Sequence, residues 1–384
     1  MTIFQGKRVL FVSHRANFQK FNQPLIKMLR AEGAIVDYAS DGTEKIANVR
    51  KSFTIAFNRH PWAIWNHIRA FFQMRRLLQE RKYDLIHTHT PTASAITRLA
   101  NGRKKSDGHK PLIYTAHHFQ FKADGSLVDW IWFPIEWFLG NFYTDAVVTI
   151  SSGDYALAKK HFKRTLVRQI SGVGVDLAKF RSHLSTAERA KVRRELGLSP
   201  DDFAIGYVAE MINRKNHKQL LQIFAAAYAK NPNLRLLLVG EGKNIGGIKR
   251  FISRFGLENG VSIITKKLPQ IEYFYESLDL EISSSRKEGL GMHLLEALAV
   301  GTPILASDID GHREFATPEQ LFDLRYGAEV VEKLDFLSQV CYNRSMSGKN
   351  AVVRQSLMPE KFALDNSLEQ MEKIYAKVLK NARL

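Results

Sequence analysis

The chain contains, at residues 283–297, the segment Ser283-Ser284-Ser285-Arg286-Lys287-Glu288-Gly289-Leu290-Gly291-Met292-His293-Leu294-Leu295-Glu296-Ala297. The run that precedes it, residues 278–282, is typical of a strand, and residues 292–300 have helical spacing. A strand, a glycine loop and a helix start in this order offer unpaired backbone N–H groups to an anion. The segment therefore predicts a phosphate-binding loop.

Two glutamates of this segment can face one crevice. Glu288 lies in the loop, and Glu296 lies about two turns into the helix. Each carboxylate can accept hydrogen bonds from vicinal hydroxyls while the loop binds a diphosphate, so a sugar nucleotide suits the pair. For a lone pair with this spacing, a helix-terminal charge and a solvated helix residue are the ordinary explanation. The loop glycines and the turn and strand at residues 301–306 favour the sugar nucleotide.

Length and composition predict a globular protein of two domains or three. The chain has 384 residues, of which 45% are hydrophobic, which is ample for folded cores. Its single cysteine, Cys341, allows no intramolecular disulfide and fits a reducing compartment. No stretch resembles a signal peptide or reaches the length of a spanning helix. A cytoplasmic location is therefore expected.

The positive charge is concentrated in the first half of the chain. Of a net charge of +18, residues 1–180 contribute +14, with 27 Lys and Arg against 13 Asp and Glu. A basic half indicates an anionic partner. The segment from Phe53 to Lys82 mixes aromatic and basic residues. It is either an ordinary amphipathic helix or a surface that meets anionic lipids. No nucleic-acid recognition module is visible, and nucleic acid is not an expected partner.

Strand and helix patterns alternate along both halves of the chain. A strand at residues 7–13, a helix at 21–32 and a strand at 34–39 form a βαβ unit, which predicts a parallel sheet. The alternation resumes after a glycine-marked turn at residues 171–176, and a long amphipathic helix is predicted after Pro359. We predict an α/β fold of two doubly wound, Rossmann-like domains, at residues 1–172 and 173–358. A C-terminal helix, residues 359–384, is expected to pack back on the first domain.

Histidines follow several strands of the first half, at the edge where open parallel sheets bind ligands. His14 follows the first strand, and His117 and His118 follow the strand at residues 111–116. His87 and His89 share one face of a strand, a spacing that could suit a metal, but no third ligand is evident nearby. His89 is predicted to point outward and His87 to pack inside. Such histidines are candidates for catalysis or acceptor binding, or loop residues bonded to the backbone.

Seven segments together resemble the family 4 retaining glycosyltransferases, nearest to the branch that builds capsular, exopolysaccharide and lipid-linked glycans in bacteria. The resemblance covers nearly the whole chain and rests on residues 17–25, 84–91, 114–117, 134–136, 172–176, 213–217 and 288–296. It implies the GT-B fold, in which two Rossmann-like domains face each other across a cleft.

The resemblance also implies roles for individual residues. His117 would lie at the reacting centre, and Glu288 would contact the hydroxyls of the donor sugar. The other donor-binding residues would be Arg214, Lys215, Lys267, Leu268, Gly289, Leu290, Gly291 and Glu296. Of these, Glu296 would bind the ribose, residues 267–268 would lie near the base, and the rest would hold the diphosphate. The acceptor-binding residues would be His14, Asn17, His89 and His118.

The implied activity is transfer of a sugar from a nucleotide-sugar, expected to be a UDP-sugar, to a polyprenyl-diphosphate-linked acceptor. The enzyme would work in exopolysaccharide or capsule synthesis, with no cofactor and no metal, at the anionic inner face of the cell membrane. The pair Asp308-x-Asp310 mimics a metal-binding motif of single-domain transferases, but lies too late in the chain. Two alternatives stay open: an inactive scaffold subunit of a polysaccharide assembly complex, and an NAD-dependent enzyme. The incomplete glycine fingerprints count against the second.

Overall fold

The structure, a computed structural model, describes residues 2–58, 60, 62–119, 121, 129–180, 184–346 and 355–382, without the side chains of residues 17, 129 and 341–346. The chain divides into two compact units. The first domain consists of residues 1–174 and 364–384, and the second of residues 175–363. Among the described helices, none is both long and apolar enough to cross a bilayer.

The first domain is built on a seven-stranded parallel sheet with the order β3-β2-β1-β4-β5-β6-β7. Its strands are β1 (Arg8–Val12), β2 (Ile35–Ser40), β3 (Lys51–Thr54), β4 (Leu85–His89), β5 (Leu112–Ala116), β6 (Ala146–Thr149) and β7 (Leu166–Gln169). The helices between them are α1 (Gln19–Ala31), α2 (Ile64–Glu80), α3 (Pro91–Asn101), α4 (Phe133–Tyr143) and α5 (Ser152–His161). Strands β4, β5 and β6 are buried along their whole length, as expected for a parallel sheet covered on both faces.

The second domain has a six-stranded parallel sheet with the order β10-β9-β8-β11-β12-β13. Its strands are β8 (Phe203–Val208), β9 (Leu234–Val239), β10 (Val261–Ile264), β11 (Leu280–Ser283), β12 (Ile304–Ser307) and β13 (Leu321–Phe322). Its helices are α6 (Leu177–Phe180), α7 (Thr186–Glu195), α8 (His217–Lys230), α9 (Ile245–Arg254), α10 (Ile271–Ser277), α11 (Met292–Ala299), α12 (Asp310–Arg313) and α13 (Gly327–Met346). Two doubly wound α/β domains are thereby confirmed.

The last helix, α14 (Leu364–Asn381), belongs to the first domain. It packs against α1, and its buried face includes Met371 and Tyr375. The ring of Phe4 meets that of Tyr375 edge-on, with centroids 6.2 Å apart. The helix therefore completes the core of the domain that begins the chain.

The strand order reverses once in each sheet, between β1 and β4 and between β8 and β11. At such a reversal the two crossover connections leave on opposite faces, which opens a crevice at the carboxyl ends of the strands. His14 and His89 lie at this edge in the first domain, and the segments at residues 209–216 and 284–291 lie there in the second. Both sets of predicted site residues are therefore at ligand-binding edges.

Candidate functional site

Buried hydroxyl groups hold the loop after β11 against the loop after β8. The Ser284 Oγ donates to the carbonyl oxygens of Lys215 and Asn216, at 3.2 Å each. The phenol of Tyr207, on β8, donates to the Lys215 carbonyl at 2.8 Å. These bonds fix the backbone of Lys215 beside the start of the glycine loop.

Glu288 is the centre of an ion-pair cluster. Its carboxylate contacts Lys215 Nζ, lies 3.2 Å from Arg214 Nη1, and accepts a 2.7 Å hydrogen bond from the Ser285 hydroxyl. Burial alone would raise the pKa of Glu288, but Lys215, Ser285 and Arg214 outweigh it and hold that pKa below its usual value. The structure thus brings together an ionised carboxylate and two cations beside a helix start, an arrangement that can bind both hydroxyls and phosphate.

Two glycines allow the loops after β11 and β12 to pack in contact. Gly291 precedes α11 with φ = 74°, a left-handed conformation that favours glycine. A Cβ on Gly291 would lie 2.9 Å from the His312 ring, and one on Gly311 would lie 2.5 Å from the carbonyl oxygen of Glu288. The position of Glu288 therefore depends on a glycine that follows a different strand.

Glu296 lies half-buried on α11 and is held by a phenol from α10. The hydroxyl of Tyr275 donates to Glu296 Oε2 at 2.9 Å. Burial, together with the nearby carboxylates, raises the pKa of Tyr275, so its hydroxyl stays protonated and remains a donor. The sequence did not single out Tyr275, because it lies on a helix with an ordinary apolar pattern.

Lys267 and Leu268 lie in the connection between β10 and α10, at the carboxyl edge of the same sheet. Lys267 is exposed and Leu268 is half-buried. They follow β10, which two strands, β9 and β8, separate from β11 in the sheet order. The structure thus places them at the same edge as the glycine loop but on a separate segment.

Three buried histidines surround the ion-pair cluster. His217 and His293 pack against the ring of Tyr207, with centroids 4.9 and 5.6 Å away, and His312 donates from Nδ1 to the Ser307 carbonyl at 2.8 Å. Burial, aided by Lys215, lowers the pKa of His217 to about 4, and burial also lowers the pKa of His293 and His312. They are therefore neutral at pH 7 and add no charge. Their common location could not be predicted from the sequence, since they come from three separate segments.

The pair Asp308 and Asp310 is engaged with Arg313, whose Nε lies 2.5 Å from Asp308 Oδ1 and whose Nη1 lies 3.7 Å from Asp310 Oδ1. Over the described part of the chain, no group of three or more His, Cys, Asp or Glu side chains is arranged to hold a metal ion.

In the first domain, the ends of β4 and β5 bring two predicted site residues into contact. His89 Nδ1 lies 3.1 Å from His117 Nε2. His89 is only 2% exposed, so the prediction that it points outward was wrong. Its ring lies against the rings of Phe11 and Phe18, which cover the strand end. His117 is half-buried, and burial lowers its pKa to about 4, so it is a neutral imidazole at pH 7.

The remaining predicted acceptor residues lie on separate loops of the same edge. His14 Nε2 is 3.5 Å from Asp41 Oδ2, and His118 Nδ1 is 3.4 Å from Asp154 Oδ2. His14 and His118 are half-buried. Asn17 lies in a 3₁₀ helix, Ala16–Phe18, and its side chain is outside the described part of the structure.

Each domain matches the model of a glycosyltransferase family. Residues 188–337 match "Glycosyl transferases group 1", and residues 23–178 match "Glycosyltransferase Family 4". EpsD of Bacillus subtilis (strain 168), which is named as a glycosyltransferase, is 30% identical over 381 residues, or 96% of each chain. The chain belongs to the family 4 glycosyltransferases.

Two further proteins are similar to this glycosyltransferase at lower identity. The UDP-Gal:alpha-D-GlcNAc-diphosphoundecaprenol alpha-1,3-galactosyltransferase of Escherichia coli is 22% identical over 345 residues, or 85% of each chain. The solved structure of Anabaena HepE, in complex with UDP and glucose, superposes with a TM-score of 0.76 at 17% identity, covering 97% of this chain and 100% of HepE. This likeness confirms the predicted GT-B fold of the glycosyltransferase.

Proposed function

We propose that this glycosyltransferase moves a hexosyl or N-acetylhexosaminyl group from a UDP-sugar to a polyprenyl-diphosphate-linked glycan, in exopolysaccharide or capsule synthesis. The observation that carries the proposal is the cluster of Glu288, Lys215 and Arg214 beside the helix start at Gly291. The cations and backbone N–H groups suit a diphosphate, and the ionised carboxylate suits sugar hydroxyls. HepE, which was solved with UDP, supports the nucleotide, and the name of the Escherichia coli relative supports the lipid-linked acceptor.

The main catalytic task in this reaction is to stabilise the negative charge that develops on the leaving diphosphate. In the transfer, the bond between the anomeric carbon and the diphosphate oxygen breaks, and the acceptor oxygen bonds to the same face of that carbon. The acceptor's proton passes to the departing oxygen. Because the new bond forms on the face that the leaving group occupied, the configuration is retained. Lys215 and Arg214 stabilise the charge that develops on the leaving UDP. We assign Glu288 to the sugar hydroxyls and Glu296 to the ribose.

The other assignments follow the family resemblance. His117 contacts the transferred sugar or the attacking hydroxyl, and His14, Asn17 and His118 contact the acceptor. The neutral state of His117 suits this role, because an imidazole can both donate and accept hydrogen bonds to hydroxyls. Lys267 and Leu268 lie near the uracil ring.

A thermal-shift panel with UDP, GDP, ADP and NAD at matched concentrations tests the donor assignment. A ligand that binds only the folded state adds about 2.7 kcal/mol of stability at a hundred times its Kd, so UDP should raise the melting temperature. Lys215→Met should reduce this shift, whereas Lys249→Met removes the same charge from an exposed position on α9 and should preserve it. A shift with NAD alone would overturn the assignment. UDP binding without transfer to any lipid-linked acceptor would favour the inactive scaffold.

We also propose that the first domain docks on an anionic membrane surface, because α2 has apolar side chains on two faces. One face is buried in the domain through Ala70, Met74, Leu77 and Leu78. The other exposes an apolar stripe in which Trp65 is 82% and Phe72 63% exposed. Trp62, Ile64 and Ile68 extend this stripe. A solvent-facing helix ordinarily carries polar residues there.

The surroundings of this stripe match the chemistry of an anionic lipid surface. Arg69, Arg75 and Arg76 are exposed on the same helix, and each cation near such a surface contributes about 1 kcal/mol. Helix α2 packs on α3, and α3 packs on α4, where Ile135 and Phe138 are also exposed. Ile131, in the 3₁₀ helix just before α4, is exposed as well. Tryptophan and other aromatic rings favour the headgroup region. The combination favours a bilayer over a protein partner.

Liposome flotation tests the docking surface. The protein should float with vesicles that contain anionic lipid, and Trp65→Ser combined with Phe72→Ser should release it. Phe336→Ser is the control, since Phe336 is 66% exposed in the second domain and should leave flotation unchanged. Equal flotation with zwitterionic and anionic vesicles would refute an electrostatic contribution.

A further inference from the structure

A stack of imidazole rings links the core of the first domain to His117. His87 and His89, on the same face of β4, have ring centroids only 4.2 Å apart. His89 in turn bonds His117, through Nδ1 and Nε2 at 3.1 Å. Both β4 histidines are buried, with 0% and 2% exposure. The ring that contacts His117 is therefore held in place by the core and does not reach the solvent.

The inner member of the stack is held at both nitrogens. His87 Nδ1 lies 2.6 Å from the hydroxyl of Tyr375, on α14, and His87 Nε2 lies 2.7 Å from Thr115 Oγ1, on β5. Phe11 packs against the other side of the stack, with its ring within 9° of parallel to that of His89. Helix α14 and strand β5 thus hold His87, and His87 together with Phe11 of β1 holds the ring of His89.

The hydrogen bond leaves His117 with one ring nitrogen for a ligand. An imidazole has two nitrogens, and Nε2 of His117 is occupied by His89. The other nitrogen of His89, Nε2, is buried and has no hydrogen-bond partner in the described part of the chain. His89 also lines a cavity of about 20 Å³, which has room for one water molecule. Whichever ring donates the shared proton, only Nδ1 of His117 is available to a substrate.

We propose that His89 is a positioning residue for His117, which it orients so that His117 meets the sugar or the acceptor hydroxyl through Nδ1. This rests on the assignment of His117 to the reacting centre under the proposed function. It differs from the acceptor contact that the resemblance implied for His89, because a ring with 2% exposure acts through its neighbour. Loss of this orientation lowers the turnover rate more than substrate affinity, since a misplacement of about 1 Å can cost on the order of 10²-fold in rate.

A matched pair of variants separates positioning from mere support of the fold. The amide of His89→Asn can occupy the place of Nδ1 and keep the bond to His117, whereas the longer His89→Gln carries its amide to the place of Nε2. We expect kcat for sugar transfer to fall about 10–100-fold in His89→Gln and to be rescued to within about threefold of wild type in His89→Asn. KM should change little in either. Equal kcat in the two variants, at any level, overturns the proposal.

A spectroscopic readout makes the test independent of turnover. In ¹⁵N-histidine-labelled full-length protein, the Nε2 signal of His117, assigned with His117→Asn, should shift in His89→Gln and keep its wild-type position in His89→Asn. A shift of the same size in both variants contradicts the positioning role. Melting temperature and the UDP-induced thermal shift, measured in parallel, establish that both variants are folded and bind donor. Absence of the UDP shift in the wild type would count against the proposed function instead.

Discussion

The buried His87 should make the first domain sensitive to acid, and His87→Gln should remove that sensitivity in part. Burial, with a further contribution from His117, lowers the pKa of His87 from 6.5 to about 3. Below pH 6.5 the unfolded chain takes up a proton at this position and the folded chain does not. The stability that depends on a neutral His87 is therefore complete above pH 6.5 and is lost progressively between pH 6.5 and 3.

The size of the effect follows from proton linkage. Each pH unit below the unfolded pKa costs about 1.4 kcal/mol, so a shift from pH 7 to pH 5 should cost about 2 kcal/mol through His87 alone. His117, whose pKa is about 4, and other buried groups add losses of their own. The comparison of wild type with His87→Gln isolates the share of His87.

Tryptophan fluorescence during urea unfolding is the suitable assay, because all five tryptophans, Trp62, Trp65, Trp130, Trp132 and Trp137, lie in the first domain. Between pH 7 and pH 5, His87→Gln should lose about 2 kcal/mol less than wild type. Tyr375→Phe is the control: it removes a hydrogen-bond partner of His87, so stability should fall by about 1–3 kcal/mol at every pH with an unchanged pH dependence. An identical pH dependence in wild type and His87→Gln would refute the reasoning.

Three further predictions concern both domains. Glu296→Ala should weaken UDP binding by about 1–3 kcal/mol, since the ribose hydroxyls lose a charged partner; unchanged affinity in calorimetry would contradict the ribose assignment. Glu136→Gln should destabilise the first domain by about 3–5 kcal/mol, because it leaves the fully buried Arg98 unpaired; a loss below about 1 kcal/mol in fluorescence-detected unfolding would speak against this. Gly311→Ala should reduce the UDP-induced thermal shift, since its Cβ would lie 2.5 Å from a carbonyl oxygen of the donor loop. Gly247→Ala, which meets nothing within 4 Å, should leave that shift as in wild type, and equal shifts in both variants would show that the loop tolerates the contact.

The fold could be predicted because each strand and helix is marked by a pattern within its own short segment of sequence. Apolar strands that alternate with amphipathic helices indicate parallel α/β domains whatever the details of packing. One exception is β3 (Lys51–Thr54), whose residues are mostly exposed. It is an edge strand, so it lacks the apolar pattern by which the other strands are recognised.

The candidate site was predictable only where its residues share one segment. Glu288, Gly291 and Glu296 are close in sequence, and their spacing carries the chemistry. The contact of His87 with Tyr375 spans 288 positions, and no local pattern marks it. The burial of His89 also had no local signal, because it depends on the rings of Phe11 and Phe18, which come from other segments. Such contacts depend on which elements the tertiary structure brings together.

Because α14 belongs to the first domain, that domain cannot finish folding until the end of the chain has been synthesised. Strands β1 to β7 emerge first, followed by the whole second domain, and only then by the helix that carries Tyr375. At a translation rate of about 5–20 residues per second, Tyr375 is synthesised roughly 15–60 s after His87. The second domain can fold as soon as it is synthesised, whereas the first must wait with the apolar surface that α14 will cover still bare. The nascent chain therefore leaves this apolar surface exposed until α14 has been synthesised, and a translation product that ends before α14 lacks the covering helix.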